Sequence, residues 1–135
     1  MRLIVLAVGR LRPPYADDVE HYLKLLTRHA RVETIEVREE ERVAARVPER
    51  CFVSLLDRAG EQFDSLAFSR FVEARRQAGR DVCFVVGGPA GLDLERVDHR
   101  FSLGPLTLPH QLARVVLLEQ LYRAHKILAG EPYHL

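Results

Sequence analysis

The sequence predicts an α/β domain with a largely parallel β-sheet. Continuous apolar runs at 3–9, 51–56 and 81–86 have the pattern of strands that are buried on both faces. Segments with apolar residues three and four positions apart follow these runs, as expected for amphipathic helices. Alternation of strands and helices favours a parallel sheet. A chain of 135 residues that is 47% hydrophobic can form one compact core, so we expect a single domain over residues 1–135.

The first half of the chain contains two predicted strands and two helical segments. LIVLAVG (3–9) is the first strand, and an amphipathic helix with Tyr15 on its apolar face follows. VETIEV (32–37) alternates apolar and charged residues, which indicates a half-exposed strand. EEERVAARVPER (39–50) predicts a charged helical segment that ends near Pro48.

Two further buried strands are predicted in the middle of the chain. CFVSLL (51–56) leads into a turn-forming loop, DRAGEQFDS (57–65), in which Ser65 is the candidate N-cap of a helix that Gly79 closes. DVCFVV (81–86) leads directly into the glycine-rich loop GGPAGLD (87–93).

The last third of the chain predicts a short helical piece, an interrupted strand and a long helix. LERVD (94–98) is the helical piece, and FSLGPLTL (101–108) is a strand that Gly104 and Pro105 break. Pro109 suits the first turn of the last helix, which Gly130 terminates.

The last helix has apolar residues on almost every side, so it needs cover on every side. In so short a chain, we expect a second copy to cover one face in a two-fold homodimer, with Leu117 and Leu121 in the interface. The alternative is a helix that is sandwiched within one chain. Glu119 and Arg123 stand at i and i+4 in the order that favours an ion pair.

Composition limits the function classes. The formal net charge is only +1, which gives no sign of general phosphate binding. Cys51 and Cys83 each lie in an apolar run, as expected for reduced core cysteines. The N-terminal run is too short to span a bilayer and lacks a small-residue cleavage site, so we expect a cytoplasmic protein with no membrane association.

Three predicted loops follow the carboxyl ends of buried strands, where open α/β sheets bind ligands: Leu56–Gly60, Gly87–Gly91 and Ser102–His110. None has the glycine pattern of a dinucleotide fingerprint or the Lys-Ser/Thr of a phosphate loop. The histidines and cysteines lack metal-ligand spacing, so no metal is expected, and no serine lies in a nucleophile elbow. The residues alone therefore predict a small-molecule site in an α/β dimer.

Five stretches together resemble a known family. They are LIVLAVGR (3–10), LDRAG (56–60), FVVGGPAGL (84–92), SLGPLTLPHQLARVVLLEQLYRAHKIL (102–128) and GEPYH (130–134). They resemble the bacterial ribosomal RNA large subunit methyltransferase H family, the pseudouridine N3-methyltransferases of the SPOUT class. The resemblance covers essentially the whole chain. The last helix with its preceding loop and the GGPAGL motif are its most specific parts.

The resemblance implies a SPOUT-type domain whose C-terminal segment passes through a trefoil knot, and a homodimer formed through the last helix. It also implies that the knot loops bind S-adenosylmethionine. Backbone groups of the glycine-containing turns would hold the cofactor, and leucine side chains would cover its ring. The implied cofactor-binding residues are Leu56, Gly87, Leu103, Gly104, Pro105, Leu106, Thr107 and Leu108. Relatives commonly carry a small hydroxyl residue where this chain has Gly104, and many end in a basic residue where this chain ends in Leu135.

The resemblance further implies methylation of N3 of a pseudouridine in 23S ribosomal RNA, with the assembled ribosome as the partner. His110 and His134 are the candidate general bases, and Tyr133 is a candidate for stacking on the target base. Arg123, with Tyr133 and His134, is a candidate for substrate placement. Two alternatives remain: another SPOUT enzyme that methylates a tRNA base or a ribose oxygen, and a non-catalytic RNA-binding module.

Overall fold

The computed structural model describes residues 1–88 and 92–133, in which strands and helices alternate along most of the chain. The elements in chain order are β1 Arg2–Val8, α1 Tyr15–Leu26, β2 Arg31–Val37, a 3-10 turn Glu40–Arg42, α2 Val43–Arg46, β3 Phe52–Gln62, α3 Ser65–Ala78, β4 Val82–Val86, β5 His99–Ser102 and α4 His110–Leu128.

The five strands form one sheet in the order β2-β1-β4-β3-β5, and every neighbouring pair is parallel. The central strands β1 and β4 are buried over nearly their whole length, as the continuous apolar runs predicted. The α/β class with a parallel sheet is therefore confirmed. Because all the strands run in one direction, their carboxyl ends meet at a single edge of the sheet.

The two faces of the sheet have unequal cover. Alternate residues of β1 and β4 pack on one face against α1, α3 and α4. The opposite face is covered by the short α2 and by partly buried side chains of the irregular segment 92–97. On the first face, α4 packs against both α1 and α3, so three helices share the larger of the two cores.

Most of the apolar surface of α4 is covered within the chain itself. Leu117 and Leu121 are both 0% exposed in the single chain, where they belong to the core between the helices and the sheet. The expectation that they form a dimer interface is wrong, because the neighbouring helices already surround them. Leu112 and Val116 are only half-buried and lie on the side of α4 away from that core, whereas the half-buried Val115 packs against it.

The loop predicted after residue 56 is instead a continuation of β3. The strand runs to Gln62, and both Leu56 and Glu61 pair with Phe101 of β5, so the intervening residues form an irregularity in a continuous strand. Asp64, rather than Ser65, is the N-cap of α3, because its side chain accepts a hydrogen bond of 2.7 Å from the main-chain N–H of Ala67.

The helical piece predicted for LERVD (94–98) is also wrong. Its polar side chains bond the main chain of the neighbouring segment instead of supporting a helical turn. Arg96 donates to the carbonyl of Cys51 at 2.7 Å, and Asp98 accepts from the N–H of Val53 at 2.8 Å. Pro109, which was predicted in the first turn of the last helix, lies one residue before the first residue of α4.

Gly60 is required by a close approach of two strands. A Cβ at this position would lie 2.6 Å from the main-chain carbonyl carbon of Arg100 and from the nitrogen of Phe101. Such distances are shorter than van der Waals contact, so only glycine fits opposite β5 here.

Cys51 and Cys83 are buried free cysteines, as predicted. Burial raises the pKa of Cys83 to about 12, so its thiol stays protonated near neutral pH. In the described part of the chain, no helix has the length and apolar character needed to cross a membrane.

We expect Gly60→Ala to lower the free energy of unfolding by about 1–3 kcal/mol, because the added methyl would push β3 away from β5. Urea denaturation at fixed protein concentration measures this change. Ala59→Ser, on the exposed neighbouring position, is the matched control and should stay within about 0.5 kcal/mol of wild type. Equal stability of both variants would show that β3 moves away from β5 at this position without a loss of stability.

Candidate active site

The three segments singled out by the sequence converge on one cavity at the carboxyl edge of the sheet. We call it the Gly87 cavity; its volume is about 520 Å³, within the usual range for small-molecule sites. Of the eight predicted cofactor-binding residues, seven line it: Leu56, Gly87, Leu103, Gly104, Leu106, Thr107 and Leu108. Pro105 is exposed and does not line the cavity, so its contact with a ligand stays a prediction.

Each wall of the Gly87 cavity comes from a neighbouring strand or from the segment directly after it. Leu56 lies in β3, Gly87 directly follows β4, and the segment 103–108 follows β5. The residues that complete the GGPAGL loop, 89–91, lie outside the described residues. The parallel order β4-β3-β5 is what brings these separate stretches of sequence to one place.

Ser102 shapes the turn after β5. Its hydroxyl donates to the carbonyl of Gly104 at 2.9 Å and accepts from the N–H of the same residue at 3.0 Å. Gly104 has φ +134°, a conformation that side-chain-bearing residues rarely adopt. Glycine at this position therefore suits the backbone of this chain.

Asp57 and Arg58 line the Gly87 cavity but were not predicted. Arg58 Nη1 donates to Thr107 Oγ1 at 2.6 Å, which joins β3 to the segment after β5. Asp57 accepts from the N–H of Ala59 and from Arg100, and these bonds lower the pKa of its carboxyl, so it is charged near neutral pH. Their position directly after a buried apolar run is the sequence signal that could have identified them.

Leucine side chains supply apolar surface at the rim of the cavity. Leu106 is 79% exposed, which is unusual for a large apolar residue, whereas Leu103 and Leu108 are half-buried. A flat apolar ligand in the cavity would pack against these side chains, and this contact would bury apolar surface of both the ligand and the leucines.

Among the described residues, His110 is the predicted catalytic candidate that lines the Gly87 cavity. Its Nδ1 is buried without a hydrogen-bond partner among the described residues. Burial and, secondarily, the nearby charge of Arg114 lower the pKa of the imidazole, so the ring is neutral near pH 7. A neutral ring with an unused nitrogen can accept a proton from a bound group.

The buried guanidinium of Arg114 fastens α4 to the ends of two strands. It is 4% exposed and donates to Glu36 Oε2 at 2.6 Å, to the carbonyl of Val8 at 2.9 Å and to the carbonyl of Gly9. Glu36 also accepts from the N–H of Leu11 at 3.0 Å, which holds the loop after β1. No local sequence signal pairs Glu36 with Arg114, because 78 residues separate them.

Comparison with known proteins identifies the family of this chain. The family model described as "Predicted SPOUT methyltransferase" matches residues 1–134. The chain belongs to the SPOUT methyltransferase family. The chain is 46% identical to the ribosomal RNA large subunit methyltransferase H of Rubrobacter xylanophilus, over 98% of both chains. It is 42% identical to the protein of that name from Anaeromyxobacter sp. and 37% identical to that from Carboxydothermus hydrogenoformans, in each case over 99% of both chains.

Two other predicted site residues of this SPOUT methyltransferase, Arg123 on α4 and Tyr133 beyond its end, lie outside the Gly87 cavity. Arg123 forms the predicted ion pair with Glu119 at 2.8 Å, and its guanidinium lies 4.3 Å from the centre of the Tyr133 ring. The Tyr133 hydroxyl donates to Glu119 at 2.9 Å. Tyr133 therefore packs against α4 of its own chain. His134 and Leu135 lie outside the described residues.

Burial and the bond to Glu119 raise the pKa of Tyr133 to about 12. Its phenol therefore stays protonated near neutral pH, so Tyr133 is suited to stacking or donating a hydrogen bond rather than to accepting a proton. Within residues 1–88 and 92–133, no group of three or more His, Cys, Asp or Glu side chains is placed to hold a metal ion.

We expect Glu36→Gln to lower the free energy of unfolding by about 1–3 kcal/mol, because it leaves the buried guanidinium of Arg114 without its carboxylate. Urea denaturation at fixed protein concentration is the measurement. Glu39→Gln removes the same charge from an exposed position near the same strand end and should change stability by less than about 0.5 kcal/mol. If the two variants are equally stable, the ion pair does not hold the edge of the sheet.

Proposed function

We propose that this chain transfers a methyl group from S-adenosylmethionine to N3 of a pseudouridine in 23S ribosomal RNA, on assembled ribosomes in the cytoplasm. The observation that carries the proposal is the Gly87 cavity, which three strand-end segments of a SPOUT methyltransferase form together. The names of the relatives specify ribosomal RNA of the large subunit, which favours this substrate over tRNA and over a non-catalytic RNA-binding role.

The residues of the Gly87 cavity fit the cofactor. The volume of about 520 Å³ suits a ligand of this size, and exposed Leu106 offers apolar cover for an adenine ring. Main-chain groups at Gly87 and in the segment 103–108 would bind its polar edges, and Arg58 would meet its carboxylate as a charged donor. When bound, S-adenosylmethionine supplies a methyl group that its positive sulfonium activates, and it leaves as a neutral thioether.

His110 is the proposed general base of this chain. N3 of the base must lose its proton as it accepts the methyl group, and a neutral imidazole next to the cofactor site can take that proton. The other task of the protein is to align the two reacting atoms. Orientation of this kind contributes about 7–11 kcal/mol in favourable intramolecular reactions.

We further propose a homodimer formed through the outer side of α4, in which each chain is a single domain over residues 1–135. The half-buried side chains of Leu112 and Val116 lie on that side, away from the core that α4 shares with α1 and α3. After the edge strand β5 the chain turns back, and α4 packs against α1 and α3. This path of the chain is compatible with a C-terminal trefoil knot.

In such a dimer, the cluster of Glu119, Arg123 and Tyr133 lies on the interface side of α4. We propose that this cluster, with His134, completes the partner's site. Arg123 would place the RNA, Tyr133 would stack on the target base, and His134 would be a second candidate base.

Binding and methylation assays test the proposal. Calorimetry should detect binding of S-adenosylmethionine to the wild-type protein, and Gly87→Val should abolish it by filling the cavity while the sedimentation of the dimer stays unchanged. Ribosomes from cells that lack the gene should gain one N3-methylpseudouridine in 23S RNA, measured by nucleoside mass spectrometry. Methylation of tRNA alone, or no binding of the cofactor, would contradict the proposal.

We expect His110→Asn to lower kcat about 100-fold or more if His110 is the base. The pKa of His110 is lowered below its usual 6.5, so in the wild type kcat should be insensitive to this group at pH 7 and above. Below the lowered pKa the protonated ring cannot accept a proton, so kcat should fall tenfold per pH unit.

The pH profile separates this role from a structural one. His110→Asn should lose the acid limb of the profile, whereas His21→Asn, which changes an exposed histidine of α1, should keep both the limb and the wild-type rate. An acid limb that persists in His110→Asn would assign the proton transfer to another group.

A further inference from the structure

A second cavity adjoins the Gly87 cavity and shares Thr107, Leu108 and His110 with it. We call it the Tyr15 groove. Its volume is about 640 Å³, and its other walls come from the loop after β1, the start of α1 and the first residues of α4. A molecule in this groove would contact His110, which also lines the Gly87 cavity.

The loop that forms one wall of the groove is held in place by α4. The Gln111 side chain accepts from the N–H of Arg12 at 2.8 Å and donates to the carbonyl of Arg10 at 3.1 Å. The N–H of Leu11 donates to Glu36, the partner of buried Arg114. These bonds hold the main chain at Arg12 in place, so its side chain projects from a fixed position, as a binding site requires.

Arg12 and Tyr15 present a charge and an aromatic ring side by side. Arg12 is exposed, and no carboxylate within residues 1–88 and 92–133 lies within 4.0 Å of its guanidinium. Tyr15 is half-buried and lines the same groove. Single-stranded RNA is recognised by this combination, because an arginine binds the phosphate and an aromatic side chain stacks on the unpaired base.

We propose that the Tyr15 groove receives the target nucleotide of the RNA, with Arg12 bound to an adjoining phosphate. Tyr15 stacks on one face of the base, which leaves the other face for Tyr133 of the partner subunit. This inference rests on the proposed function, because it assigns the substrate side of the same active site. His110 lies where the two cavities meet, so a base in the groove would bring its reacting edge to both the methyl donor and the proton acceptor. Arg12 and Tyr15 are thus positioning residues supplied by the same chain as the cofactor site.

Kinetics with ribosomes as the substrate test the two residues. Tyr15→Ala should lower kcat/KM about 10- to 100-fold through lost stacking, and Tyr15→Phe should restore at least half of the wild-type value because it keeps the ring. Arg12→Ala should raise KM for ribosomes about tenfold with little change in kcat. In the same Arg12→Ala variant, the slope of log affinity for ribosomes against log salt concentration should become smaller in magnitude by about one.

The controls separate this inference from the proposed function and from general charge effects. Calorimetry with S-adenosylmethionine should give wild-type affinity for all three variants, so a loss of activity with intact cofactor binding is assigned to the RNA side. Arg70→Ala, which removes an exposed arginine of α3 outside both cavities, should leave KM unchanged.

Three results would overturn the inference. The first is wild-type kcat/KM for Tyr15→Ala and Arg12→Ala in an enzyme that binds the cofactor and methylates ribosomes. The second is an equal rise of KM in Arg70→Ala, which would indicate only a general effect of charge. The third is dissociation of the variants in sedimentation, which would make the groove a contact between chains. If wild-type protein binds no S-adenosylmethionine, the proposed function itself fails.

Discussion

The guanidinium of Arg114 joins the parts of this protein that the candidate active site requires. It reaches from α4 to the carbonyls of Val8 and Gly9 and to the carboxylate of Glu36, so one side chain satisfies the polar ends of both β1 and β2. A buried cation is costly unless it is paired and hydrogen-bonded, and here both conditions are met. Burial first, and the same charge second, lower the pKa of His110, one turn earlier on the helix. Arg114 thus anchors α4 to the sheet and also contributes to the low proton affinity of the candidate base.

The parallel sheet brings the segments of the site together next to the Arg114 contact. Because the strands are all parallel, the middle of β3 and the segments that follow β4 and β5 are neighbours in space although they lie far apart in the chain. The Gly87 cavity needs each of them, and the bond from Arg58 to Thr107 ties the first to the third. The loop after β1 is bound to α4 through Gln111, so the end of a fourth strand adjoins the site at His110.

The sequence was informative wherever a local pattern determined the structure. Apolar runs identified the buried strands, and glycine and proline identified the segments that now line the Gly87 cavity. It was misleading where tertiary contacts decided the outcome. Residues after Leu56 contain turn-forming types, yet pairing with β5 keeps them in a strand. The apolar circumference of α4 suggested an interface at Leu117, but α1 and α3 cover that side. The contact between Glu36 and Arg114 has no local signature at all.

The segment 92–97 has two roles that couple distant parts of the molecule. Leu92 lines the Gly87 cavity and also packs, with Leu94 and Val97, on the thinly covered face of the sheet. Short irregular cover of this kind is where local unfolding costs least free energy. A ligand that holds Leu92 in place opposes such opening by mass action. Occupancy of the cavity should therefore slow amide hydrogen exchange on the far side of the sheet, in residues that no ligand touches.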